Sequence, residues 1–271
     1  MSEYYGQISK LITELKDPIS YQLPIGNQKV NLNKSINQKI TLSFDGEIRC
    51  ISCNKKIKKT FMQGYCYPCF ITSPQTSKCI LKPELCRAHE GKARDMQWAK
   101  EHCLTDQYIY LALTSNLKVG VTRHTQIPTR WIDQGAHKTL IFAKTPNRYL
   151  AGMIEKELSQ HISDKTYWRR MLLGEYPDLN LIDEKEKLIN VVSSEYQQYI
   201  TDDKKITVLE YPVGIKPSKI KSLNFDKNPT ISGKLCGIKG QYLFFENDYV
   251  LNIRKFTGYF LHYKKGKDNG K

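Results

Sequence analysis

The stretch that decides the fold of the central part of the chain, at residues 117–136, reads LKVGVTRHTQIPTRWIDQGA. An apolar run around Gly120 is followed at once by a dense set of polar and aromatic side chains. These side chains are Arg123, His124, Arg130, Trp131, Asp133 and Gln134. A solvated surface does not require such a density, so we interpret the stretch as holding a polar ligand.

The residues around this stretch predict a hairpin followed by helices. YIYLALT and LKVGVT flank a Ser-Asn pair, which is typical of two strands joined by a tight turn. Pro128 suits the first turn of a helix, and Gly135 suits the position just after its end. Apolar residues recur at helical spacing within residues 146–173 and again within residues 183–199, so we expect two further helices there.

The charge of the chain favours a polyanionic partner. Its 271 residues include 42 Lys and Arg against 27 Asp and Glu, a formal net charge of +15 with a pI near 9.3. Basic domains of this kind bind phosphate backbones, so DNA or RNA is the expected partner. The alternative is a basic surface that serves only solubility.

The N-terminal residues MSEYYGQISKLITELKD are too polar for a secretory signal. Their apolar positions predict one face of a short helix: Ile8, Leu11, Ile12 and Leu15. The sequence also lacks an apolar run of membrane-spanning length. We therefore expect a cytoplasmic protein that has no membrane partner.

Two C-x2-C pairs, twelve residues apart, predict a zinc ribbon. The four cysteines are Cys50, Cys53, Cys66 and Cys69. Such pairs bring four thiolates to one tetrahedral ion, and Zn²⁺ suits four soft ligands. The alternative is a thioredoxin-like redox pair, which needs an exposed and acidified thiol at a strand-to-helix junction.

A second, looser set consists of Cys79, Cys86, His89 and Cys103. It predicts a second zinc site, in which His102 is the alternative to His89, or else a set of ordinary core residues. The sequence indicates no open coordination position at either site. Zinc is therefore expected to stabilise the fold at one or two sites, without catalysing a reaction.

Several motifs of the chain resemble known families. The order Tyr108-Ile109-Tyr110, hairpin, Lys118-Val119-Gly120, then a helix with Arg130 and a helix with Glu155 resembles the GIY-YIG endonuclease fold over residues 106–175. Most of the chain resembles an uncharacterised DUF-type bacterial family that places this arrangement between a zinc ribbon and a C-terminal β module. The motifs that carry the second resemblance are QGYCYPCF, LKPELC, KVGVTR, QIPTRWIDQGA and GIKGQYL.

The nuclease resemblance implies a metal-dependent phosphodiester hydrolysis. It implies that Tyr110 and Arg130 surround the scissile phosphate and that Glu155 binds one Mg²⁺ or Mn²⁺. Gly120 matches the glycine of the second motif. Lys118 stands where the second tyrosine is expected, and a protonated lysine would serve as a phosphate clamp rather than as a base. The predicted catalytic set is therefore Tyr110, Lys118, Arg130 and Glu155.

Nucleic-acid contacts are expected around this set, through phosphate-binding cations and stacking aromatic side chains. The candidates are Tyr108, Gly120, Arg123, Gln126, Trp131, Gln134, Trp168 and Arg169. A non-catalytic DNA- or RNA-binding or adaptor protein that keeps the fold and its phosphate site is the alternative, and Lys118 favours it.

The expected fold is α+β. It comprises an N-terminal β segment with a zinc ribbon, a central GIY-YIG-like small sheet with helices, and a small C-terminal β module. The predicted parts are an N-terminal helix, β segment and zinc-binding region at 1–105, the core with its helical extension at 106–205, the β module at 206–264, and a disordered basic tail at 265–271.

Overall fold

The computed structural model describes residues 3–266. The strands are β1 (Glu3–Gln7), β2 (Ile12–Glu14), β3 (Ser20–Ile25), β4 (Gln28–Asn31), β5 (Lys39–Ile48), β6 (Gln107–Leu113), β7 (Leu117–Arg123), β8 (Lys138–Thr145), β9 (Thr207–Val208), β10 (Lys221–Ser222), β11 (Thr230–Lys239), β12 (Tyr242–Phe245), β13 (Tyr249–Asn252) and β14 (Tyr259–Lys265). The α-helices are α1 (Tyr67–Thr72), α2 (Met96–His102), α3 (Thr129–Asp133), α4 (Arg148–Leu158), α5 (Trp168–Leu173) and α6 (Leu181–Ile189). The mixed α+β class predicted from the sequence is confirmed.

The chain forms two compact units. The first unit combines Met1–Phe70 with Glu210–Lys271, and the second unit is Ile71–Leu209. A seven-stranded sheet in the order β1-β14-β5-β11-β12-β13-β10 joins strands from both ends of the chain in the first unit. The part boundaries predicted from the sequence lie near residues 105 and 206, with the two ends of the chain in separate parts. In the structure β5 pairs with β11 and β14, so the two terminal segments share one sheet.

The predicted N-terminal helix is wrong, because residues 3–7 and 12–14 are strands. Ile8 and Leu11 are buried, whereas Ile12 and Leu15 are exposed, so the four apolar residues do not share one face. Neighbouring tyrosines and a glycine in β1 favour an extended backbone over a helix, and β1 pairs with β14 far along the chain. Of the predicted tail, Lys265 ends β14, and residues 267–271 lie outside the described part of the chain.

The second unit contains a four-stranded antiparallel sheet in the order β7-β6-β8-β9. The hairpin of β6 and β7, α3 and α4 lie where the sequence predicts them. The helix predicted at residues 183–199 is divided, since α6 ends at Ile189 and a 3₁₀ stretch covers Ser194–Tyr199. Apolar side chains of β6, β7, β8, α4 and α6 form one buried cluster that fixes α4 on the sheet.

Candidate functional site

The β6–β7 hairpin brings Tyr110 directly opposite Gly120. Tyr110 is fully buried, and its ring lies across the glycine. A Cβ atom at position 120 would lie 2.6 Å from Tyr110 Oη, a distance that Cβ atoms do not tolerate. The glycine therefore makes room for the tyrosine, and its predicted contact with nucleic acid has no support in this geometry.

Gln134 connects Tyr110 to Arg130. With its amide oriented to satisfy both neighbours, Gln134 Nε2 donates to Tyr110 Oη at 2.9 Å, and Oε1 accepts from Arg130 Nε at 3.1 Å and from Nη2 at 3.3 Å. Gln134 follows the last residue of α3, whose first turn carries Arg130. The amide thus holds the guanidinium of Arg130 in a defined orientation beside the hairpin.

Lys118 is a buried lysine on β7. Its Nζ donates to the Asp164 backbone carbonyl at 2.9 Å, and its exposed fraction is only 4%. Burial and, to a smaller extent, the charge of Arg130 lower the pKa of Lys118 to about 8, against the opposing effects of Glu155 and Asp164. A substantial share of Lys118 is therefore uncharged at mildly alkaline pH.

Glu155 lies half-buried on α4. Burial raises the pKa of its carboxyl to about 7, while the charges of Lys118 and Arg130 act in the opposite direction. Asn147 starts the helix by accepting a hydrogen bond from the Leu150 amide, and the buried side chains of α4 fix it against the sheet. The three side chains Lys118, Arg130 and Glu155, from three different elements, therefore share one electrostatic environment.

Glu155 and Arg130 line an open cavity of ≈ 330 Å³. Arg123, Arg148 and Gln126 line it as well. The remaining walls come from Gln75, Ile80, Leu81, Pro83, Trp98, His102, Gln107, Val121 and Thr122. Three guanidinium groups facing a single carboxylate make this cavity, hereafter the arginine cavity, suitable for an anion.

The sequence did not single out Arg148, which stands at the first position of α4. A cation at a helix N-terminus is unfavourable, so its presence there was a signal of another role. The Arg148 side chain is 8% exposed and donates to the backbone carbonyls of His102 at 3.0 Å and Cys79 at 3.4 Å. Arg148 therefore connects the arginine cavity to the segment that carries the second cysteine set.

Six predicted nucleic-acid contacts are not among the residues that line the arginine cavity: Tyr108, Gly120, Trp131, Gln134, Trp168 and Arg169. Trp131 is 4% exposed and packs beside Tyr110 at a ring distance of 6.0 Å. The Arg169 guanidinium lies 4.4 Å from the centre of the Trp168 ring. Tyr108 lies on β6, near the amino group of Lys144. The cavity brings Arg123 and Gln126 together with Arg130, as the sequence suggested.

The thiols of Cys50, Cys53, Cys66 and Cys69 lie within 4.8 Å of one another. Burial by itself would raise the pKa of Cys50, but backbone N–H groups of Cys53, Cys66 and Ser52 point at its sulfur and lower the pKa to about 6. The Cys66 amide donates to Cys50 Sγ at 3.2 Å. This four-cysteine cluster is a thiolate donor set that could hold a zinc ion.

A second group of thiols, Cys79, Cys86 and Cys103, also lies within 4.8 Å. Among residues 3–266, this three-cysteine cluster includes no histidine. The His89 ring stacks on Tyr149 at 4.4 Å, and His102 Nδ1 pairs with the Trp98 carbonyl at 2.9 Å. The structure thus brings the three predicted cysteines together and leaves both candidate histidines outside the group. The three-cysteine cluster could also hold a metal ion.

No helix within residues 3–266 is both long enough and apolar enough to span a bilayer. No curated protein and no solved structure shows significant similarity to the chain. One family model, described as "Protein of unknown function (DUF2797)", matches residues 37–261. This match covers most of the chain, including both cysteine clusters and the arginine cavity. The chain therefore belongs to the family described as DUF2797.

Proposed function

We propose that the second unit binds a nucleic-acid phosphate in the arginine cavity and hydrolyses the phosphodiester with a divalent cation on Glu155. The observation that carries the proposal is that Arg130 and Glu155, which the nuclease resemblance names, line one cavity together with Arg123 and Arg148. The hairpin, the helix with Arg130 and the helix with Glu155 also occur in the order that the resemblance implies. The formal net charge of +15 agrees with a polyanionic substrate.

Phosphate binding follows from the arginine side chains. A guanidinium group donates two parallel hydrogen bonds to phosphate oxygens, and Gln134 holds that of Arg130 in position. Arg123 adds a second guanidinium group to the same cavity wall. Arg148, which donates to the carbonyls of Cys79 and His102, adds positive charge to that wall. Positioning and charge neutralisation are the main contributions that a protein makes to cleavage at phosphorus.

The carboxylate of Glu155 suits a hard divalent cation. Within residues 3–266 no side chain or backbone group donates a hydrogen bond to this carboxylate. The Glu155 side chain lines an open cavity. Mg²⁺ is commonly held by one or two carboxylates, with water and substrate phosphate oxygens completing the coordination. When bound, the cation would neutralise the charge that develops on the phosphate and the leaving oxygen. Arg130 would share that role.

Lys118 and Tyr110 supply different proton chemistry. Lys118, with a pKa of about 8, is a candidate to accept a proton at Nζ. Tyr110 stays protonated, because burial raises its pKa to about 12, and its hydroxyl serves to position Gln134. Lys118, which replaces the expected tyrosine, could therefore serve as a base at alkaline pH.

The second candidate function is nucleic-acid binding without cleavage. A specific observation favours it: Tyr110 and Lys118 are shut off from solvent and do not line the arginine cavity. An attacking water molecule in the cavity would then lack direct contact with either side chain. Under this alternative, Arg123 and Arg130 bind phosphate, Arg148 contributes charge, and Glu155 sets the polarity of the site.

Cleavage assays separate the two functions. End-labelled single-stranded, duplex and branched DNA and a structured RNA are incubated with Mg²⁺ or Mn²⁺ and the wild-type protein, Glu155→Gln or Glu157→Gln. Glu157 is the matched control, because it lies on the same helix but accepts hydrogen bonds from Ser193 instead of lining the cavity. Cleavage that only Glu155→Gln loses supports hydrolysis. Tight binding without cleavage by all three proteins supports the alternative, and neither binding nor cleavage contradicts both.

We also propose that the four-cysteine cluster holds one structural zinc ion. Four thiols at mutual ligand distance leave no position open for a reactant, which agrees with a role in stability. Zinc content and thermal unfolding, each measured before and after treatment with a chelator, test this. Loss of zinc without a change in unfolding would contradict it.

A further inference from the structure

The three-cysteine cluster has one ligand too few for a closed zinc site. Structural zinc sites have four protein ligands, whereas zinc sites that bind an exchangeable molecule have three. Among residues 3–266, the group contains Cys79, Cys86 and Cys103 and no fourth histidine, cysteine or carboxylate. Cys86 and Cys103 are buried, and Cys79 is partly buried.

The two nearby histidines have other contacts. His89 Nε2 lies 3.9 Å from the carboxylate of Glu90, and its ring stacks on Tyr149. His102 stacks on Trp98 at 4.1 Å, with Nδ1 against the Trp98 carbonyl. Either ring would have to leave these contacts to reach the thiols.

The open side of the cluster faces a cavity. All three cysteines line a pocket of ≈ 280 Å³ that opens to solvent. Its rim carries four cationic side chains, Lys78, Arg87, Lys92 and Arg94, and one carboxylate, Asp95. Glu90 pairs with both Arg87 and Lys92, and Asp95 accepts from the Trp98 amide. The four cations outnumber these two carboxylates, so the rim keeps a net positive charge. We call this space the cysteine cavity.

Charge and ligand softness define what would fill the fourth position. Three thiolates and one Zn²⁺ carry a net charge of about −1, which the Arg148 guanidinium, hydrogen-bonded to Cys103, offsets. An ion with thiolate ligands favours another soft donor, and the cationic rim favours a ligand with a further negative charge. A small molecule that bears both a thiol and a carboxylate satisfies both conditions.

We infer that Cys79, Cys86 and Cys103 hold a zinc ion whose fourth coordination position is filled, from the cysteine cavity, by a small anionic thiol. On binding, the thiol sulfur would take the fourth position in exchange for a water molecule, and the thiol proton would pass to solvent. The inference does not require the proposed phosphate site, although Arg148 contacts the cysteine segment and also lines the arginine cavity.

The test uses the full chain loaded with Co²⁺ in place of zinc, because the visible absorption of Co²⁺ reports its ligands. Two thiols are titrated, 3-mercaptopropionate and 2-mercaptoethanol, which differ in their carboxylate. We expect a saturable spectral change with both, and roughly fivefold tighter binding of 3-mercaptopropionate. The four-cysteine cluster, with four thiolates on its ion, should contribute no change. A spectrum that neither thiol alters would overturn the inference.

Variants locate the response. Cys86→Ser should lower the metal content from about two ions per chain to about one and abolish the response. Lys78→Ala combined with Lys92→Ala should keep the ion and bring the two thiols to similar affinities. His89→Ala should change neither the spectrum nor the response. If His89→Ala loses the second ion or alters the spectrum, His89 is the fourth ligand and the inference is wrong; this outcome can be read even if Cys86→Ser does not fold.

Discussion

The four-cysteine cluster of the first unit and the three-cysteine cluster of the second unit use the same donor atom differently. The first comes from two C-x2-C pairs and has all four thiols within ligand distance. The second comes from cysteines separated by six and sixteen residues, and its members line a cavity. A complete donor set indicates a stabilising site, whereas an incomplete one beside a cavity indicates a ligand site. The arginine cavity also lies in the second unit, so both proposed ligand sites belong to that unit.

The largest expected effect is the loss of stability when the four-cysteine cluster loses one thiol. Cys66→Ser removes a buried thiol that lies 3.7 Å from Cys53 Sγ. Structural zinc contributes about 10–16 kcal/mol of apparent binding free energy, comparable with a domain's whole stability of about 5–15 kcal/mol. We expect the first unit to lose the proposed zinc ion and its cooperative unfolding transition, measured by metal content and circular dichroism. A folded, zinc-free first unit would break the comparison.

The next effect concerns the pH dependence of stability. Between about pH 8 and 10.5 the unfolded chain holds a proton on Lys118 that the folded chain has lost, so stability rises with pH there. The rise is roughly 3 kcal/mol, at about 1.4 kcal/mol per pKa unit. For Glu155, with its pKa raised to about 7, the sign is opposite: stability falls between about pH 4.5 and 7.

Lys118→Met should remove the alkaline rise. Because it also removes a charge that lowers the pKa of Glu155, the acid limb should remain and extend to higher pH. The measurement is urea unfolding at several pH values, and Lys156→Met on the exposed side of α4 is the control. An unchanged alkaline limb in Lys118→Met would show that another group is responsible.

Arg130→Lys tests the phosphate site without changing the charge. The substitution removes the planar fork that Gln134 orients, so we expect nucleic-acid cleavage to fall by about 10²-fold. Arg170→Lys, at a surface residue that pairs with Glu175 at 3.5 Å, should have an effect of less than about threefold. Equal effects of the two substitutions would mean that the cavity responds only to overall charge.

The smallest expected effect is a loss of stability from disturbed packing around Gly120. Gly120→Ala places a methyl group against Tyr110 and should reduce the free energy of unfolding by about 1–3 kcal/mol. Gly233→Ala on β11 is the matched strand control, since its nearest neighbour would lie 3.4 Å away and the change should stay within a few tenths of a kcal/mol. Similar losses at both positions would contradict the tight Tyr110–Gly120 contact.

Local patterns predicted much of the second unit and less of the first. The hairpin and α3 follow from alternation, Pro128 and Gly135, because turn and cap signals are short-range. The N-terminal strand depended on β14, about 250 residues away, so its own apolar spacing was misleading. Long-range pairing of this kind cannot be predicted from a short stretch of sequence.

The candidate site shows the same division. The order of the motifs predicted Arg130 and Glu155 as site residues. The spacing of the cysteines predicted the four-cysteine cluster. Arg148 was missed, because its role depends on contacts with His102 and Cys79, which precede it by 46 and 69 residues. The burial of Lys118 and the exclusion of His89 from the three-cysteine cluster likewise depend on packing that no single segment encodes.

The most direct test of the proposed hydrolysis is the Mn²⁺-dependent rate of strand cleavage by Glu155→Gln relative to Glu157→Gln. If Glu155 binds the cation in the arginine cavity, Glu155→Gln should cleave at least about 10²-fold more slowly while binding nucleic acid to a similar extent, and Glu157→Gln should match the wild type. Equal cleavage by the two variants would contradict the assignment of Glu155.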